Sequence, residues 1–183
     1  MDNWSFFREA MRNFRSTGAI AGASPVLAKR LIRVIPSDRP VRVVELGPGE
    51  GSITRALLDK LHPASELTAF EINPAFVQRL SRLRDDRLRV IGVGAEQLTE
   101  YVALGSTDYV VSSLPLSMIA PSVKSEIIEQ SRQILTPEGR FLQYQYALQD
   151  YGLLKDSFAR VNVGFTLANL PPAFVYSCSL GLI

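Results

Sequence analysis

From residue 41 onward, short apolar runs alternate with stretches in which apolar residues recur every three or four positions. Val41–Leu46 reads as a buried strand, and Ser52–Leu61 as a helix with Ile53, Ala56, Leu57 and Leu61 on one face. A second strand is predicted at Leu67–Ile72 and a helix at Pro74–Leu83, whose proline suits a first turn that needs no N–H partner. Leu88–Val93 and Thr107–Ser112 read as the third and fourth strands. The spacing of Val123, Ile127, Ile134 and Leu135 predicts a helix that stops before the turn Thr136-Pro137-Glu138-Gly139. A strand at Arg140–Tyr146, a helix at Tyr151–Arg160 and closing strands at Gly164–Ala168 and Phe174–Ser179 complete the pattern. Such alternation implies an α/β, doubly wound, mostly parallel sheet, with the last two strands able to pair antiparallel.

Length and composition narrow this picture without changing it. The 183 residues suit one domain with a real core. We expect a single unit over 1–183, divided into an N-terminal helical segment over 1–35 and an α/β core over 41–180. One cysteine, Cys178, precludes an internal disulfide and a cysteine-built metal site, which fits a reducing compartment; no metal is expected. No signal peptide is visible, and the apolar stretch from Leu167 to Ile183 is interrupted by Asn169, Pro171 and Pro172. About ten residues remain after those prolines, against the ~20 of a membrane-spanning helix, so no span is expected.

Charge is uneven. The net value is +2, yet residues 1–35 carry Arg8, Arg12, Arg15, Lys29, Arg30 and Arg33 against Asp2 and Glu9, a local +4. That segment is a candidate contact with something anionic.

The chemistry concentrates at the first strand–helix junction, Glu45-Leu46-Gly47-Pro48-Gly49-Glu50-Gly51. Glycines there permit a sharp turn and close approach of a ligand to the backbone. A pyrophosphate at this helix start would be repelled by Glu45 and Glu50. S-adenosylmethionine, with its cationic sulfonium and amine, would be favoured by them. Glu71 ends the second strand 24 residues after Gly47, near the spacing at which an acid reaches ribose hydroxyls, and Ile72 beside it could pack on adenine.

With these residues placed, the chain resembles class I methyltransferases, and more narrowly the bacterial phospholipid N-methyltransferases, relatives of the ribosomal RNA adenine dimethylases. The features that carry the likeness are Gly18-Ala19-Ile20, Ser24-Pro25-Val26-Leu27-Ala28, the turn Val44–Gly51 and Phe70-Glu71-Ile72-Asn73. Ser112-Ser113-Leu114-Pro115 and Asn169-Leu170-Pro171-Pro172-Ala173-Phe174-Val175 add to them. The resemblance implies a seven-stranded Rossmann-like methyltransferase sheet with an antiparallel C-terminal strand and an N-terminal helical cap. It implies that Gly18, Ile20 and Ser24 belong to a lid over S-adenosylmethionine, which is bound also by Glu45, Gly47, Pro48, Gly49, Gly51, Glu71 and Ile72. Gly94, Ala95 and Glu96 would lie by the adenine, and Ser112 to Pro115, including Leu114, would line the transfer site. Ser113, Tyr144 and Tyr146 would orient the acceptor amine. Two positions depart from the pattern: Gly94 stands where relatives often place an aspartate, and Leu116 where they place an aromatic residue.

The acceptor implied is the amine of an aminophospholipid such as phosphatidylethanolamine. Ser113-Leu114-Pro115-Leu116 lacks the asparagine amide and the ring with which an adenine methylase would hold a flipped base, and nucleic acid is not expected as partner. Trp4, Phe7, Met11 and Phe14 recur at helical spacing, with Arg8, Arg12 and Arg15 mostly on other faces. That pattern suits a helix lying on an anionic membrane surface and a cytoplasmic protein peripheral to the inner membrane. His62, at the far end of the first helix, is a poor candidate base. An RNA adenine or small-molecule amine methyltransferase, or a silent cofactor-binding homologue, remain the alternatives.

Overall fold

The computed structural model describes residues 23–181, so Gly18, Ile20 and the aromatic stripe from Trp4 to Phe14 lie outside the described residues. Seven strands form one sheet: β1 (Arg42–Leu46), β2 (Glu66–Phe70), β3 (Leu88–Ile91), β4 (Thr107–Ser112), β5 (Leu135–Gln145), β6 (Arg160–Thr166) and β7 (Ala173–Ser179), in the order β3-β2-β1-β4-β5-β7-β6. The pairs from β3 through β5 are parallel, and β7 runs antiparallel to both β5 and β6. The Rossmann-like sheet with its reversed C-terminal strand is therefore present as expected.

Helices cover both faces. On one lie α1 (Pro25–Leu31) and α2 (Ser52–Lys60), whose Leu27, Leu31, Ile53 and Leu57 pack on Val43, Leu67, Val111 and Leu142. On the other lie α4 (Leu98–Tyr101), α5 (Pro121–Ile134) and α6 (Tyr151–Ser157), closing over Val44, Leu46, Phe70, Val110 and Phe141. The helix α3 (Pro74–Ser81) precedes β3; Asn73 caps it by accepting the Ala75 N–H. Parallel strands covered on both faces are buried on both sides, which explains why Val43, Val44, Glu45 and Leu46 are all buried and show no in–out alternation. Each fully buried side chain such as Phe141 or Leu57 contributes about 1.5–3 kcal/mol.

Two boundaries differ from the sequence reading for physical reasons. Strand β5 begins at Leu135, not Arg140, because Leu135 already pairs with Thr107. The ladder then advances from Thr107 to Tyr109 on β4 but from Leu135 to Arg140 on β5, so the Thr136–Gly139 turn survives as a bulge within the strand. Helix α6 stops at Ser157, and β6 occupies Arg160–Thr166 where a helix end and a later strand were predicted. Strand β6 lies at the sheet edge, so its apolar side chains Val163 and Phe165 are exposed and a burial-based pattern is weak there.

Candidate functional site

The parallel strands end together. Leu46, Phe70 and Ser112 are register partners across β2-β1-β4, so the segments that follow them meet at one rim of the sheet. After β1 comes the glycine turn. Gly47, Gly49 and Gly51 all have φ between 57° and 85°, the left-handed region closed to most side chains. At Gly47 a second constraint applies. A Cβ there would lie 2.6 Å from the Leu114 side chain, so the turn needs glycine to fit beneath the loop after β4. Gly51 then opens α2 with no side-chain cap, leaving its first N–H groups to the rim.

Glu71 ties the turn to β2. Its Oε2 accepts the Gly49 N–H and its Oε1 accepts the Asn73 N–H, each at 2.9 Å, and the residue is buried. A carboxylate has about four acceptor sites, so two further donors can still be received. Glu45 differs. It is fully buried on the α1–α2 face, and neither carboxylate oxygen has a hydrogen-bond partner among the described residues. Burial pushes its carboxyl up to about 8; the Thr54 hydroxyl nearby pulls the other way, and the Glu71 charge adds to the rise. An unmatched buried carboxyl behind a glycine cradle is suited to a group that brings its own positive charge. Glu50 does not join them. It is exposed and paired with Arg79 at 3.0 Å.

Beyond β3, Gly94 and Glu96 form an unexpected unit. A Cβ at Gly94 would lie 2.1 Å from Glu96 Oε2, so the Glu96 carboxylate fills the volume that a side chain at 94 would take. Burial raises the Glu96 pKa, its own backbone N–H lowers it, and Glu126 and Glu100 raise it further; Oε2 has no hydrogen-bond partner among the described residues. Sequence reasoning missed Gln130 on α5. Its amide donates to the Glu96 carbonyl and accepts the Thr99 N–H, bracing this loop. Ala95 is buried beside it, and Ile72 packs against the same apolar cluster.

The loop after β4 is held from three sides. Ser113 donates its N–H to the Leu46 carbonyl, Ser112 Oγ accepts the Leu114 N–H, and the Gln143 amide donates to the Leu114 carbonyl at 2.9 Å. Gln143 is a second residue that the sequence did not single out; a polar residue in a central strand was the available signal. Ser113 Oγ is buried without a described partner. Leu116 is wholly buried in the core. Tyr144 and Tyr146 lie on the opposite face of β5 from Gln143, edge to face at 5.8 Å, and pack toward α1. Burial raises the Tyr146 pKa while Asn169 and Tyr144 lower it, which leaves a neutral phenol. Ser24 caps α1 and is tied to Ala168 and Asn169. The structure thus brings together Glu45, Gly47, Pro48, Gly49, Gly51, Glu71, Ser112 and Leu114 at the rim. Gly94, Ala95 and Glu96 stand in the loop after β3. His62 only accepts the Ala64 N–H at the far end of α2.

A mostly parallel sheet with one reversed strand, a glycine turn after β1 and an acid at the end of β2 make up a Rossmann-like α/β domain with its candidate site at the strand ends. The chain matches the methyltransferase domain family over residues 44–141, more than half its length, and it belongs to that family. It is a methyltransferase with the Rossmann-like fold. It is 28% identical to an ornithine lipid N-methyltransferase from Singulisphaera acidiphila, over 97% of this chain and 95% of that protein. It is 34% identical to the ribosomal RNA small subunit methyltransferase A of Treponema pallidum, over 56% of this chain but only 35% of that one. Among solved structures, a Burkholderia thailandensis 1,6-didemethyltoxoflavin-N1-methyltransferase, crystallised with S-adenosylhomocysteine, aligns with a TM-score of 0.71. The identity is 17%, covering 96% of this chain and 85% of that one. An S-adenosylmethionine-dependent methyltransferase from Aquifex aeolicus aligns with a TM-score of 0.63 and 13% identity, over 86% and 99%. No helix among the described residues is long and apolar enough to cross a membrane.

Proposed function

We propose that this methyltransferase transfers a methyl group to the amine of an aminolipid at a membrane surface. The observation that carries this reading is the end-to-end match to a lipid N-methyltransferase, where the ribosomal enzymes match over only about a third of their length. Leu116 supports it: a fully buried aliphatic residue offers no ring on which a flipped base could stack.

S-adenosylmethionine supplies a methyl group on a sulfonium leaving group, so the protein has to align and desolvate rather than activate. Glu45 would face the methionine ammonium and ionise against it. The N–H groups at the start of α2 would receive the methionine carboxylate. Gly47, Pro48, Gly49 and Gly51 would give the backbone surface for the nucleoside, Glu71 would accept the ribose hydroxyls, and Ile72 would pack on the adenine with Gly94 and Ala95. Glu96 supplies the carboxylate that position 94 lacks. Ser24 at the start of α1 would help to cover the cofactor; Gly18 and Ile20, to which the family likeness gives the same role, lie outside the described residues. The acceptor amine, with a lysine-like pKa near ~10, arrives protonated and gives its proton to water. Ser113, through its buried hydroxyl, and the phenols of Tyr144 and Tyr146 would then orient the lone pair toward the methyl carbon. The basic, aromatic N-terminal segment holds the protein on an anionic cytoplasmic membrane face.

Incubating purified protein with methyl-labelled S-adenosylmethionine and anionic vesicles containing phosphatidylethanolamine tests the reading. Label is expected in the organic extract. Label in added RNA and none in lipid would overturn the lipid acceptor, and tight cofactor binding without any transfer would overturn catalysis itself.

A further inference from the structure

Strand β7 is antiparallel to β5 and pairs Phe174 with Gln145, while β6 pairs Thr166 with Ala173. The hairpin between them, residues 167–172, therefore projects from the same rim as the glycine turn. Its tip is apolar and not covered by the described residues: Leu167 is 77% and Leu170 84% exposed, the largest values among the described large hydrophobic residues. Phe165, its ring tilted against Phe174 at 5.0 Å, is half exposed at the tip's base. Helix α1 is fastened to the same tip, since Ser24 donates its N–H to Asn169 Oδ1 and its hydroxyl to the Ala168 carbonyl, both at 2.9 Å. Val26 at the start of α1 adds another exposed apolar side chain.

Charge says what such a tip meets. Behind Val26, Lys29, Arg30 and Arg33 are all exposed, and Arg30 reaches over Gly164 of β6. No aspartate or glutamate occurs in residues 23–37 or 157–181. An apolar prow with a cationic band behind it and no carboxylate is complementary to an anionic bilayer, with hydrocarbon beneath and phosphate above. The aromatic, basic segment leads in sequence into α1 at Ala23, and α1 is fastened to the hairpin tip through Ser24.

We propose that the β6–β7 hairpin tip, through Leu167 and Leu170 with Phe165 and Val26, inserts into anionic lipid and turns the rim of the sheet toward the headgroups. The inference rests on the membrane reading above but concerns a different element from the N-terminal segment. It supplies orientation: a single anchoring segment leaves the domain free to swivel, whereas a second contact on the active rim points the transfer site at its substrate.

Cosedimentation with phosphatidylglycerol–phosphatidylethanolamine vesicles tests it, using full-length protein and the Leu167→Ser/Leu170→Ser double variant. Both positions are exposed, so the melting temperature and S-adenosylhomocysteine affinity should be unchanged, while vesicle affinity falls at least tenfold. A single-tryptophan probe, Leu170→Trp with Trp4→Phe, should blue-shift on vesicles and be quenched by brominated lipid chains. If wild type binds vesicles and the double variant binds them equally, the hairpin is refuted and the membrane reading stands. If wild type does not bind anionic vesicles at all, both fall. If lipid-free wild type is a dimer that the double variant dissolves, the tip is a contact between copies and the proposal is overturned.

Discussion

Glu45→Gln separates folding from function at a single oxygen. The native protein holds a proton on Glu45 up to about pH 8, whereas the unfolded chain releases it near the ordinary value of 4.5. Between those values the native state binds more protons, so this group's contribution to stability is greatest below 4.5 and declines as pH rises toward 8. The slope approaches 1.4 kcal/mol per pH unit, and the accumulated penalty at about pH 7.5 is roughly 4 kcal/mol. Glutamine has nearly the same shape and cannot ionise, so the penalty disappears. Urea unfolding followed from about pH 5 to pH 8 should show the variant gaining on wild type throughout, by a few kcal/mol at the upper end. All other carboxylates cancel in that difference. The gain has a functional cost: without a charge to meet the methionine ammonium, calorimetric affinity for S-adenosylmethionine should drop at least tenfold, about 1.4 kcal/mol. Stability curves for the two proteins that run parallel from pH 5 to pH 8 would refute the reasoning.

Four further outcomes follow from the same geometry. Glu71→Gln leaves an acceptor for one of the Gly49 and Asn73 N–H groups but opposes the other with an amide. Cofactor affinity should fall at least tenfold with an accompanying loss of about 1–3 kcal/mol in unfolding free energy; unchanged affinity would remove Glu71 from the site. Gly94→Ala places a Cβ where the Glu96 carboxylate sits, so it should displace that side chain and weaken binding as much as Glu96→Ala does. The double variant should be no worse than either single one, and additive losses would show that the two positions act separately. Phe141→Ala, in the stacked Phe141–Phe158 pair, should cost about 3–5 kcal/mol by chemical denaturation. Cys178 is buried with its thiol pushed up to about 12, so maleimide should label the unfolded protein and leave the native one unmodified over hours; rapid native labelling would contradict its burial.

The central strands and the glycine turn were legible because their causes are local. Val43, Val44 and Leu46 are buried on both faces, and a strand–helix junction with left-handed backbone can hardly be built without glycines at 47, 49 and 51. The edge strand was not, because at Val163 and Phe165 nothing buries the apolar side chains and the alternation reads ambiguously against the preceding helix. Charge alone misjudged Glu50, whose partner Arg79 lies 29 positions away and belongs to another helix. The Glu96 carboxylate lying over Gly94 illustrates a different limit. The sequence shows the missing aspartate, but only the folded loop shows that a neighbour two residues on fills its volume. The roles of Gln130 and Gln143 needed the fold for the same reason, since each braces a backbone segment distant in sequence, although a polar residue in a central strand already marked Gln143.

The central claim is that this site methylates a lipid amine, and the most direct measurement is mass spectrometry of headgroups from cells given the protein. In a host whose own lipids carry no N-methyl groups, wild type should yield aminolipid headgroups bearing one or more added methyl groups, and Glu71→Gln should suppress them strongly. Unaltered lipids together with newly methylated adenines in the ribosomal RNA would contradict the account.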